Sequence, residues 1–136
     1  MRACHRARLP QALAKKEAVR ADPATTSDGR RAAASDVARS LHRLGNLAWR
    51  RGDAAAALSR YAAAVKLKRG VALELKKGDH ADDGDALANR AARRSLADTL
   101  QCAALVRFEQ GRSLGSSLSR AESEFDEARR TIRRER

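Results

Sequence analysis

Apolar residues recur at Val37, Leu41, Leu44 and Ala48, spacings of four, three and four that place them on one face of a helix. Ser35-Asp36 starts that helix, a cap residue followed by an acid in the first turn. Gly52 stops it and Asp53 caps the next, whose apolar face is Ala54, Ala57, Leu58, Tyr61, Ala64 and Val65. A turn as short as Arg51-Gly52-Asp53 makes the two helices antiparallel. Small residues, Gly45 and Ala57 among them, stand where the pair must touch, and Tyr61 fills the space where they splay.

Downstream, Gly78 to Asp85 interrupts the pattern with a cluster of acids. A third helix is predicted from Ala86 to Leu96, a break at Ala97-Asp98, a fourth helix to Gln110, and a loop from Gly111 to Ser117. An uninterrupted helix from Asp85 to Gln110 is the alternative, because aspartate is a weak helix breaker. Ala121, Phe125, Ala128 and Ile132 share one face of a fifth helix. No long β-branched or aromatic run occurs, and proline is confined to Pro10 and Pro23. The fold class predicted is all-α, antiparallel helix pairs stacked as a short solenoid with a C-terminal capping helix.

Residues 1–34 read as a separate segment. The first sixteen carry Arg2, Arg6, Arg8, Lys15 and Lys16 and no acid. Such a composition predicts a basic disordered tail, with an organelle transit segment as the alternative. The helical domain is then 35–136. Cytoplasmic residence is the default; a mitochondrial or plastid address goes with the transit reading.

Composition narrows the chemistry. Apolar residues are 43% of the chain but aromatics only 3%, so the core must come from close helix contact rather than bulky side chains. Cys4 and Cys102 define neither a disulfide framework nor a metal spacing. His5, His42 and His80 are scattered, no Gly-rich phosphate loop occurs, and no enzyme activity or cofactor is expected. The acids from Asp79 onward fail as a calcium loop, with Ala81 at a ligand position and Arg90 at the closing one. Arg51-Gly52-Asp53 is read as a turn and not as an adhesion tripeptide. No apolar run approaches the ~18 residues of a membrane span. The net charge of +12, with arginine pairs at 30-31, 50-51, 93-94, 129-130 and 133-134, favours anionic partners.

Leu44-Gly45, Gly52, Ala57, Tyr61 and Ala64 resemble the tetratricopeptide repeat, a helix-turn-helix unit that usually binds peptides. The resemblance covers one repeat over 38–71, an acidic loop over 72–84, a second repeat over 84–117 with Leu100 and Ala103 in place, and a C-terminal helix over 117–135. The triplet Ala121, Phe125 and Ala128 also fits a repeat's second helix, which leaves the register of this half open. Gly45-Asn46 and Ala88-Asn89-Arg90-Ala91-Ala92 further resemble the first two repeats of chaperone-binding members. In those members, asparagines and cations clamp the C-terminal carboxylate of a heat-shock chaperone.

That resemblance implies a clamp built on Asn46 and Asn89, with His42 at a position where the family carries lysine. From spacing alone, Arg39, Arg43, Asn46 and Arg50 share one helix face, and Asn89 and Arg93 repeat the arrangement. The function expected is a co-chaperone or adaptor binding an acidic peptide or C-terminal carboxylate. The alternative is RNA or another polyanion held through phosphates. Two repeats are fewer than the three usual for a stable array, so self-association is also in view.

Overall fold

The computed structural model describes residues 4–77, 83–114 and 119–133. Five helices account for nearly all of them: α1 Cys4–Ala21, α2 Ser27–Arg50, α3 Ala54–Lys77, α4 Asp83–Leu114 and α5 Ser119–Arg133. No strand occurs among the described residues. Each helix packs on its neighbour in sequence. Alternate helices also meet: His42 of α2 touches Thr99 of α4, and Arg69 of α3 pairs with Glu127 of α5. The architecture is a short helical solenoid with α2 and α4 on one side and α3 and α5 on the other.

The α2–α3 hairpin follows the sequence closely. Gly52 adopts φ +80, a left-handed conformation that glycine alone enters without strain. Asp53 Oδ1 accepts from Ala56 N–H at 2.9 Å and caps α3. Gly45 packs beneath Tyr61, whose ring is only 1% exposed. Three apolar clusters run along the solenoid. Leu13, Val37, Leu41 and Ala64 join α1, α2 and α3; Ala57, Tyr61, Ala103 and Val106 join α3 to α4. Val65, Leu96, Leu100 and Ala128 join α3, α4 and α5.

Several expectations are corrected. The segment 1–34 does not read as a disordered tail: α1 fills most of its described part and buries Leu13. Helix α2 begins at Ser27 rather than Ser35, because Thr26 supplies the cap by accepting from Gly29 N–H at 3.1 Å. The alanines that follow are strong helix formers, and Ala33 is buried. Thr25 locks the α1–α2 corner by donating to Val19 O at 3.0 Å.

Helix α3 runs to Lys77, so the acidic loop does not begin at 72; its residues 78–82 lie outside those described. No break occurs at Ala97-Asp98; the uninterrupted helix that stood as the alternative is the one found. Asp98 is exposed while Ala97 and Thr99 are buried, so the acid points to solvent from an unbroken helix. That continuity replaces the helix-turn-helix expected over 84–117. Gly111 to Leu114, assigned to a loop, is the last turn of α4, and 115–118 lie outside the described residues.

The second hairpin is therefore α4–α5. Ala121, Phe125 and Ala128 of α5 repeat the spacing of Ala57, Tyr61 and Ala64, and both alanines are buried. Arg107 and Glu124, each largely buried, form an ion pair across this hairpin.

If α1 is integral to the fold, Leu13→Ala will lower its stability by about 2 kcal/mol, the low end for a buried leucine. Equilibrium denaturation measures this. A change near zero would return α1 to the status of an appended tail.

Candidate functional site

Helices α2 and α3 outrun the repeat predicted over 38–71, and α4 rises beside them. Their extensions enclose a groove of about 380 Å³. One wall is a stripe of α2: Asp28, Arg31, Ser35 and Arg39. The floor is Lys68, Val71 and Leu75 of α3. The opposite wall is Ala88, Ala91, Ala92 and Ser95 of α4, where small side chains leave the space open. Arg31 is paired with Asp28 at 3.1 Å, and exposed Arg39 with Asp36 at 3.6 Å. Surface pairs of this kind hold their partners weakly.

Lys68 closes the inner end. It follows Tyr61 and Ala64 on the apolar face of α3 and is 8% exposed. Its Nζ donates to Ser95 O at 2.8 Å and to Thr99 Oγ1 at 2.6 Å. An ammonium carries three donors, so one remains. No carboxylate among the described residues lies within ion-pair distance of it. Burial pushes the Lys68 ammonium down to about 8; Asp98 and Cys102 oppose that shift and Arg39 adds to it.

Thr99 is the junction of this network. Its hydroxyl donates to Ser95 O at 3.1 Å and accepts from Lys68, and His42 Nδ1 lies 3.0 Å away. With the threonine proton committed to Ser95 O, His42 satisfies the contact as the Nδ1–H tautomer. Burial and the neighbouring Lys68 lower the His42 pKa, with Arg43 adding and Asp98 opposing. The imidazole is thus neutral near pH 7 and tied to α4.

The seven residues singled out from sequence fall into two groups. Arg39 lines the groove, and His42 and Asn46 continue its stripe along α2. Asn46 Oδ1 accepts from Tyr61 Oη at 2.6 Å, so that amide carbonyl orients a core tyrosine. Arg43 and Arg50 are exposed on the same helix. Arg93, by contrast, lines a different groove with Arg69, Leu73, Glu127 and Arg130, between α3, α4 and α5. Asn89, one turn before Arg93, shares that face of α4; the residue is half-buried, and its Oδ1 is buried with no hydrogen-bond partner among the described residues.

Asn46 and Asn89 are therefore not brought together. Thr99 sits level with His42, so Asn89, ten residues earlier on α4, and Asn46, one turn later on α2, lie about 20 Å apart along the helix axes. No family model, curated protein or solved structure matches this chain. The site stands on its own geometry.

Lys68, Ser95 and Thr99 are what sequence reasoning missed. A signal existed: Lys68 continues the spacing Ala57, Tyr61, Ala64 on the apolar face of α3, where a solvated lysine has no place. The outer surface is also basic, with Arg20, Arg30 and Lys66 lining a groove shared with Glu74. Among the described residues no His/Cys/Asp/Glu group could hold a metal ion, and no helix is long and apolar enough to cross a membrane.

Proposed function

We propose that the chain is a protein-interaction module of the tetratricopeptide type that binds an acidic peptide segment in the α2–α3–α4 groove. A buried cation with no carboxylate partner among the described residues, at the end of an open groove rimmed by Arg31 and Arg39, carries the reading. Buried charges are ordinarily paired, and a ligand carboxylate would complete this one. The small residues of α4 leave room for an extended chain, and Val71 and Leu75 offer it apolar contact.

The partner class includes the acidic C-terminal tail of a chaperone, as the co-chaperone resemblance implies. The axial separation of Asn46 and Asn89 favours capture by groove cations over a clamp made by the two asparagines. An acidic ten-residue peptide with a free C-terminus is the first ligand to try, by fluorescence anisotropy, with binding expected in the micromolar range. Charge reversal by Arg39→Glu should weaken it at least fivefold, and raising the salt should do the same. Equal binding of a glutamine-for-glutamate peptide would sink the proposal. Amidating the C-terminus separates the two ligand types: only a terminal-carboxylate ligand loses affinity.

The second reading, a polyanion held by phosphate contacts, draws on the outer cations Arg20, Arg30 and Lys66. It predicts steep salt dependence and little sequence preference, since aromatic side chains for base stacking are few.

A further inference from the structure

The groove ends on a lysine that no sequence motif marks. Lys68 Nζ is anchored by two oxygens of α4, Ser95 O and Thr99 Oγ1. Both are neutral acceptors, and both hold the ammonium in one direction. The anchoring atoms both belong to α4, so the ammonium is held by that helix rather than left at the end of a free stem. Arg39 lines the same groove from α2. We propose that the inner end of the groove is a carboxylate site built on Lys68, and that occupancy of this site is coupled to the uptake of a proton by that lysine. The proposal rests on the groove reading above and adds its anchoring residue and its regulation.

Groups facing Lys68 are Ser95, Thr99, Asp98 and Cys102 on α4 and Arg39 and His42 on α2. Burial raises the Cys102 thiol above its ordinary value, with Asp98 adding and Lys68 opposing, and the His42 imidazole is lowered below its own. Neither changes charge between pH 7 and 8. Lys68 does begin to, because its midpoint in the empty groove is about 8. A carboxylate beside the ammonium favours the charged form and raises that midpoint.

The sign follows from linkage. Below pH 8 the lysine is already charged and binding needs no proton. Above it, the free protein must take one up, so affinity falls as pH rises. An isolated lysine near pH 10.5 would leave affinity flat over this range.

The test uses the full chain and two probes. For the acidic peptide, wild-type affinity should fall about tenfold between pH 7 and pH 9, as one coupled proton requires. Lys68→Met, an apolar replacement of similar length, should bind about tenfold more weakly at pH 7 and show no pH slope. Arg39→Glu should bind more weakly and, because Arg39 helps to lower Lys68, show the same fall displaced to higher pH. If Lys68→Met binds with wild-type affinity and slope, the proposal is overturned while the groove reading survives.

Acetate is the second probe, followed in wild-type protein by the carbon resonances of labelled lysine. It should move the Lys68 midpoint upward from about 8. A midpoint unmoved by saturating acetate also overturns the proposal, whatever the variant's stability. A peptide that binds neither protein removes the groove reading, and the lysine titration then decides the anion site by itself.

Discussion

Tyr61→Ala will destabilise the protein by about 3–5 kcal/mol, the range for deleting a fully buried aromatic. Tyr61 is the largest of the fully buried side chains and is 1% exposed. Its ring joins α2, α3 and α4, packing with Ala57, Ala103 and Val106 and lying 5.6 Å from the His42 ring. Truncation leaves a cavity between three helices that cannot close without moving one of them. It also strips Asn46 Oδ1 of its 2.6 Å donor. Burial holds the Tyr61 phenol up at about 12, so the donated proton stays in place across the physiological range. Urea denaturation followed by circular dichroism measures the loss. A value below ~1 kcal/mol would mean that Tyr61 is not the keystone of the α2–α3–α4 junction.

Gly45→Leu should cost about 3 kcal/mol or more, at the upper end of overpacking and despite the ~1 kcal/mol of helix propensity that leaves with glycine. A Cβ at position 45 would stand 2.6 Å from Tyr61 Cε1 and 2.7 Å from Cδ1. The ring cannot retreat, since Ala57, Ala103 and Val106 back it. The same geometry predicts coupling. In the Tyr61→Ala background the leucine enters the vacated space, and the double variant should be more stable than the sum of the two losses allows. Strict additivity in that cycle would show that Gly45 and Tyr61 do not touch.

These two residues also show what is legible in a sequence. Gly45, Ala57, Tyr61 and Ala64 encode a packed hairpin because small and large residues recur at fixed spacing on two adjacent helices joined by a three-residue turn. Gly52 and Asp53 write that turn in residue types with one conformational meaning each. Local signals failed where two neighbours disagreed. Asp98 read as a break, but its exposure lets an unbroken helix carry it. Residues 1–34 read as a tail because basic composition outweighed Leu13, whose burial depends on a groove between α2 and α3 that the segment itself does not encode.

The site divides in the same way. Arg39 was found from helical spacing, since a stripe on one helix is a one-dimensional fact. The partnership of Asn46 with Asn89 was inferred across two helices, and packing sets them about 20 Å apart on different faces. Lys68 passed unnoticed because a lysine's meaning on an apolar face depends on acceptors elsewhere. Here they are Ser95 and Thr99, about thirty residues on.

From its sequence alone this protein is all-helical, strongly basic and built around one tight α2–α3 hairpin, because periodicity, turn chemistry and charge are local properties of the chain. Tertiary structure decided between a broken and an unbroken α4 and between the two registers left open for the C-terminal half, and it alone showed that α1 joins the core and that a buried lysine closes a cationic groove. The reason is physical: register between helices is set by side chains meeting across space, and those meetings have no fixed spacing in the sequence.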